Sequence, residues 1–293
     1  MTHIREFAPA KVNLTLEVLG KRADGFHELQ SLVAFTSDIH DVITLDTSRP
    51  MGVTTSGPFA ASIAGANLVA TTLQLIESTA PALQLGAVHL EKNLPVAAGI
   101  GGGSADAAAV LRAVLRASAP NASHFPDWNR LALKLGADVP VCLHAALSWM
   151  TGVGEVVKPI ALGGDSKISG VIVNPRVAVP ADKTAQVFRA FGTTPLASDF
   201  VPRPLPDHLT GADVVAIARA GHNSLETAAR KIVPAVGLVL DALSECPENL
   251  LTRMSGAGPT CFALFASAEA AQYSAAALSA KFPHWWVRAA ALR

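Results

Sequence analysis

The sequence predicts an α+β fold in two domains, on three observations. Segments of period-two and of helical periodicity are both present, and they mix without the regular strand–helix alternation of a doubly wound sheet. At 293 residues the chain is long for one compact core. Half of its residues are apolar and 16% are charged, so a large core can form and disorder is not expected.

Val12, Leu14, Leu16 and Val18 alternate with Lys11, Asn13, Thr15 and Glu17, which predicts a half-buried strand with Lys11 and Asn13 on its non-core face. Arg22-Ala23-Asp24-Gly25 signals a turn, and 28–35 a second extended stretch. Residues 67–77 read as an amphipathic helix, and Val88, Leu90 and Leu94 mark a further strand. An Ala-rich helix is expected over 104–116 and a short one over 128–135, closed by Gly136. Gly163-Gly164, in the stretch 162–165 after Pro159, suits a domain boundary. Beyond it, 170–173 and 261–265 are expected as strands, and 187–191, 225–231, 235–243 and 268–281 as helical. The proline-rich stretch 195–206 reads as an irregular connection.

Charge and cysteine usage narrow the function. Lys plus Arg equals Asp plus Glu, 23 against 23, and no dense basic run exists, so a nucleic-acid partner is not expected. Cys142, Cys246 and Cys261 form no CxxC pair and read as reduced thiols, not a disulfide framework or zinc site. No apolar h-region opens the chain and no run approaches the ~20 residues that span a bilayer. A soluble cytoplasmic protein is expected, with oligomeric state (monomer or homodimer) left open.

The most unusual segment is Pro95-Val96-Ala97-Ala98-Gly99-Ile100-Gly101-Gly102-Gly103-Ser104-Ala105-Asp106, between a strand and a helix. Glycines allow positive φ and close approach of backbone N–H groups to an anion, and the helix start adds unpaired donors and a positive dipole end. Ser104 could cap the helix or contact a phosphate or Mg²⁺, and Asp106 suits the first turn. The loop lacks the lysine of a GxxxxGK[ST] signature and does not complete GxGxxG. By residue type alone, Asp138 is either a general base or a helix cap, and Lys11 either a charge stabiliser or a solvated lysine.

These residues lie in recognisable motifs. Residues 95–108 resemble the second motif of the GHMP kinases, which wraps the ATP phosphates. Ala8-Pro9-Ala10-Lys11-Val12-Asn13-Leu14 is similar to their first motif, and Met254-Ser255-Gly256-Ala257-Gly258-Pro259-Thr260-Cys261-Phe262 to their third. The resemblance implies a two-domain GHMP kinase fold. Residues 1–158 would form an N-terminal ribosomal-S5-domain-2-like domain, and residues 159–293 a C-terminal α/β sandwich domain. Arg22-Ala23-Asp24-Gly25-Phe26-His27-Glu28-Leu29, Leu135-Gly136-Ala137-Asp138-Val139-Pro140 and Gly152-Val153-Gly154-Glu155 resemble the branch that acts on a cytidine-diphosphate-linked methylerythritol. That implies ATP-dependent phosphorylation of the substrate's 2-hydroxyl.

On this resemblance Asp138 is the base and Lys11 the neighbouring cation. The loop from Pro95 to Ala105 grips ATP, with Asn67 and Lys92 near the adenine. Asn13 would bind the erythritol hydroxyls, and Phe26, His27 and Phe188 the cytosine. Phe26 stands where the family often has Tyr. Mg²⁺ is expected with ATP, without a dedicated protein cage. Asn223-Ser224-Leu225-Glu226 resembles an Asn-Asp-x-Glu segment of the family and is assigned no role. The alternatives are a GHMP kinase of homoserine or mevalonate type, or a non-catalytic nucleotide- or RNA-binding protein.

Overall fold

The computed structural model describes residues 3–63, 65, 67–118, 127–163, 167–192, 194–197 and 200–293. In chain order its elements begin β1 (His3–Asn13), β2 (Glu17–Lys21), β3 (His27–Asp46), β4 (Gly52–Ser56), α1 (Leu68–Thr79) and β5 (Ala87–Glu91). Then come α2 (Gly102–Ser118), α3 (Trp128–Leu135), α4 (Val139–His144), β6 (Ser148–Gly152), β7 (Val156–Pro159), β8 (Ala161–Leu162) and β9 (Ile168–Asn174). The remainder is α5 (Lys183–Phe191), β10 (His208–Leu209), α6 (Gly211–Ala220), α7 (Glu226–Ile232), α8 (Ala235–Ser244), β11 (Asn249–Met254), β12 (Cys261–Phe265), α9 (Ala268–Lys281) and β13 (Trp286–Leu292).

The chain divides into two compact units, each built from separate segments. The first takes residues 1–11, 39–96 and 101–145. In it the last residues of β3 pair antiparallel with β5, from Val42 opposite Glu91 to Asp46 opposite Ala87, and β4 runs parallel to β5. Ile43, Leu45, Val88 and Leu90 are buried while Thr44 and His89 are not, so period two buries one face. Asn67 caps α1 by accepting from the Val69 N–H at 3.0 Å, and Val69, Leu73 and Ile76 recur at helical spacing on its buried side. The alanines of α2 let it lie close to α1 and α4.

The second unit takes residues 12–38, 97–100 and 146–293. Here β11, β12, β9 and β13 form an antiparallel sheet in that order, with Cys261 opposite Val173 and Trp286 opposite Asn174. Val171, Val173, Cys261, Ala263 and Val287 share a buried cluster with residues of α7, α8 and α9. A second antiparallel group joins β2, β3, β6 and β7.

Most expected elements are present, with differences at the first strand and the Ala-rich helix and with several elements added. The first strand begins at His3, ends at Asn13, and is not half-buried: residues 8–16 are all buried. Its polar side chains are paired instead of solvated. Thr15 Oγ1 accepts the Leu32 N–H at 2.9 Å, and Asn13 Nδ2 donates to Ser31 Oγ at 2.9 Å. The Ala-rich helix starts at Gly102, so Ser104 lies inside its first turn and does not cap it; the Ala105 N–H already bonds Gly101 O at 2.7 Å. Strands β4, β6, β7, β8, β10, β11 and β13 and helix α6 were not anticipated, although the Thr210–Asp213 capping box marks the start of α6. The glycine pair at 163–164 lies partly outside the described residues, as do two positions of the 195–206 connection, which otherwise carries only a bridge at Pro195. Among the described residues no helix is long and apolar enough to cross a membrane.

Candidate active site

In the first unit Lys11 Nζ and Asp138 Oδ1 form an ion pair of 2.8 Å. The lysine side chain is 3% exposed and the carboxylate 41%, so a buried cation presents an anion to solvent. Asp138 stands immediately before α4 but makes no capping bond, which removes the helix-cap account of this side chain. Arg112, on α2, fixes the elements that carry the pair. It donates to Phe7 O of β1 at 2.6 Å and to Cys142 O of α4 at 2.8 Å, and Nε reaches Glu6 at 3.2 Å. Burial, reinforced by the Asp138 charge, pushes the Cys142 thiol up to about 12, so it stays protonated beside the pair.

The glycine loop approaches this pair closely. At Gly101, φ is +64°, and an added Cβ would stand 3.1 Å from Lys11 Cβ. Gly102, Gly103 and Ser104 form the first turn of α2, where N–H groups lack helical partners. Pro95 and Ala105 are buried, whereas Val96 and Gly103 are exposed. The flanks are thus anchored while the donors stay open.

Lys92 lies beneath the helix start, its Nζ 2.6 Å from both Asp41 Oδ2 and Asp106 Oδ2, and all three side chains are buried. Asp41 Oδ1 also accepts from the Leu94 N–H at 2.8 Å, just before the loop. Burial opposes the charge on Lys92, but the Asp106 and Asp41 carboxylates outweigh it and raise its pKa. Burial raises Asp106 to about 8; Lys92 opposes this and the Asp41 charge adds to it. Two carboxylates thus share one cation.

The folded state therefore holds a proton on Asp106 that the unfolded chain loses near the ordinary carboxyl value of 3.8. Its contribution to stability is complete below that value and is lost as pH rises through about 8. Asp106→Asn should flatten the fall in urea midpoint across this window. An unchanged pH slope would contradict the assignment.

In the second unit the centre of the glycine loop meets the third glycine segment. Ser255 Oγ donates to Gly99 O at 3.1 Å and accepts the Asn13 N–H at 3.1 Å, and the Thr260 N–H donates to Ala98 O at 3.1 Å. Gly99 has φ +79°, and a Cβ there would lie 2.6 Å from Gly258 O. Ala97, with φ +54°, is exposed, and Ala98 and Ile100 are buried. Asn13 Oδ1 is buried without a hydrogen-bond partner, an acceptor that a bound hydroxyl would satisfy. Lys183, at the start of α5, donates to Gly258 O and, at 3.4 Å, to Ala97 O. Burial lowers its pKa to about 8.

The same unit places three aromatic candidates near one another. The His27 and Phe188 rings stack with centroids 4.9 Å apart, and Phe26, next in sequence to His27, is 62% exposed. Burial, then the Lys21 charge, holds the His27 pKa below its ordinary value. Arg22 organises this turn, reaching Asp24 at 3.0 Å, Glu28 at 3.4 Å and Glu155 at 3.7 Å, while Glu28 Oε1 accepts the Gly152 N–H at 3.1 Å. Segments 22–29 and 152–155, distant in sequence, are thus one structure.

Asn67 is engaged as the cap of α1, and Lys92 with its two carboxylates. Sequence reasoning missed Asp41 and Arg112. A lone carboxylate within Ile39-His40-Asp41-Val42-Ile43 was the available signal for Asp41.

Sequence models of two domains match the chain: "GHMP kinases N terminal domain" at residues 67–146 and "GHMP kinases C terminal" at 212–284. A 4-diphosphocytidyl-2-C-methyl-D-erythritol kinase of Bradyrhizobium sp. (strain ORS 278) is 44% identical over 298 residues, covering 99% of this chain and 97% of its own. A solved 4-(cytidine 5'-diphospho)-2C-methyl-D-erythritol kinase superposes with a TM-score of 0.74 at 34% identity, covering 99% of each chain. A homoserine kinase from Cytophaga hutchinsonii, 17% identical, gives a TM-score of 0.69 and covers 99% of this chain and 95% of its own, a likeness of fold alone.

Proposed function

The chain belongs to the GHMP kinases, in the 4-diphosphocytidyl-2-C-methyl-D-erythritol kinase family, and we propose that it performs that family's reaction. ATP phosphorylates the 2-hydroxyl of 4-diphosphocytidyl-2-C-methyl-D-erythritol, giving the 2-phosphate and ADP in the non-mevalonate isoprenoid pathway. The observation that carries this reading is the 2.8 Å pair of buried Lys11 with partly exposed Asp138, against which Gly101 of the loop packs.

Transfer to an alcohol needs the hydroxyl held in line, its proton accepted, and the phosphoryl charge balanced. Asp138 orients the 2-hydroxyl and takes its proton as the bond to phosphorus forms; ADP leaves directly and no phosphoenzyme intervenes. Lys11, 2.8 Å from Asp138, attracts the charge that develops on the transferring group. The loop 95–105 holds the phosphates through backbone N–H groups between its two ends. Asn13 Oδ1 accepts from an erythritol hydroxyl, and Phe26, His27 and Phe188 receive the cytosine.

Among the described residues no group of three or more His, Cys, Asp or Glu could hold a metal ion. Mg²⁺ would be carried by ATP and would neutralise phosphate charge, with Ser104 the side chain available to it. A division near residues 158/159 leaves both matched stretches whole. The neutral charge balance favours an enzyme without a nucleic-acid partner, and the proposed reaction suits a cytoplasmic location.

Phe26 tests the reading, because its exposure lets it be truncated without opening a core. Phe26→Ala should raise KM for the cytidine substrate about tenfold, matching the ~1.4 kcal/mol of one aromatic stack, and leave KM for ATP unchanged. Phosphorus NMR of the wild-type product should show the new ester at the 2-position. An unaltered KM in the variant, or an ester elsewhere, would overturn the assignment.

A further inference from the structure

The segment Asn223-Ser224-Leu225-Glu226 sits at a junction within the second unit. Asn223 uses both N–H bonds of its carboxamide on one loop, donating to Met254 O at 2.8 Å and to Gly256 O at 2.9 Å. Its Oδ1 accepts the Leu225 N–H at 2.9 Å. Glu226 Oε2 accepts the Met254 N–H at 3.0 Å. Met254 is therefore held by both backbone groups where the chain leaves β11. Ser224 Oγ accepts the Val18 N–H at 3.0 Å, and its own N–H donates to Leu16 O at 2.8 Å.

The next residue carries the connection onward. Ser255 Oγ bonds Gly99 O and the Asn13 N–H, and Gly256, with φ +56°, has no room for a side chain because its Cβ would stand 2.9 Å from Gly99 O. A peptide group is planar, so fixing the Gly99 carbonyl also fixes the direction of the Ile100 N–H in the phosphate loop. An error of about 1 Å in such a group costs on the order of 10²-fold in rate.

We infer that Asn223 and Glu226 are positioning residues for nucleotide binding. They grip the 254–256 backbone, and Ser255 transmits that placement to the Gly99 turn. The inference rests on the phosphate-loop reading proposed above. Neither side chain touches the nucleotide in this scheme, and their effect passes through Ser255.

The test measures ATP affinity, KM for each substrate and thermal melting for wild type, Asn223→Ala, Glu226→Ala, Glu226→Gln, Ser255→Ala and the Asn223→Ala/Ser255→Ala double variant. Asn223→Ala and Glu226→Ala should each raise KM for ATP about tenfold, the equivalent of about 1.4 kcal/mol, with KM for the alcohol within twofold of wild type. Glu226→Gln keeps an acceptor for the Met254 N–H and should restore ATP affinity. The double variant should be little worse than the poorer single one, as expected for links in one chain.

Should Asn223→Ala fail to fold, Glu226→Ala and Ser255→Ala carry the same comparison. Lower melting temperatures with unchanged KM for ATP, or fully additive losses, would overturn the inference and leave the phosphate-loop reading standing. Wild type that fails to bind ATP would overturn both.

Discussion

Asp138→Asn should lower kcat by about 10²–10⁴-fold, the usual contribution of a positioned general base. Asparagine is isosteric and its Oδ1 still accepts from the Lys11 amine, so the pair's geometry is kept while its basicity is removed. With 41% of its side chain exposed, the carboxylate is not a core element, and melting temperature should change little. ATP affinity should also persist, because Gly101 of the loop approaches Lys11 and not Asp138. Stopped-flow or steady-state ADP release, with a parallel ATP-binding titration, separates the outcomes. A kcat within threefold of wild type would remove Asp138 from the chemistry. Loss of both turnover and ATP binding would make its role structural.

Lys92→Met should destabilise the protein by about 3–5 kcal/mol, as breaking a buried ion pair leaves uncompensated charge. Asp41 and Asp106 would then face each other without the cation that lies 2.6 Å from each. Because Asp41 also receives the Leu94 N–H and Asp106 sits in α2, the strain falls on both sides of the glycine loop. Protonation of Asp106 relieves part of the repulsion, so the loss should be smaller at pH 5 than at pH 8. Urea unfolding at the two pH values measures this. A loss below about 1 kcal/mol, typical of an exposed pair, would show that the triad is not the anchor of the helix start.

Local signals explain why much of this architecture was readable before the fold was known. Helices α3 and α9 and strand β12 have the expected limits because each is bounded by strong punctuation, such as Asp127 and Gly136 around α3. The glycine loop is legible since positive φ at Gly99 and Gly101 is a property of the residue itself.

The Asp41–Lys92–Asp106 triad was not legible. Its members are 51 and 14 positions apart, and no periodicity links an acid in β3 to a lysine after β5. The first strand was misjudged for a related reason. Alternation says which residues share a face, but burial of the second face at Lys11, Asn13 and Thr15 depends on partners supplied from elsewhere, Asp138 and Ser31 among them. Asn223 and Glu226 were noticed as a pattern, yet their shared attachment to Met254 is visible only in three dimensions.

The most direct measurement is ADP release from MgATP with four acceptor conditions: 4-diphosphocytidyl-2-C-methyl-D-erythritol, homoserine, mevalonate and none. The expected result is turnover with the cytidine-containing alcohol alone, at a rate that collapses in Asp138→Asn. Turnover with homoserine or mevalonate and none with the cytidine compound would contradict the proposed substrate while leaving the kinase fold intact.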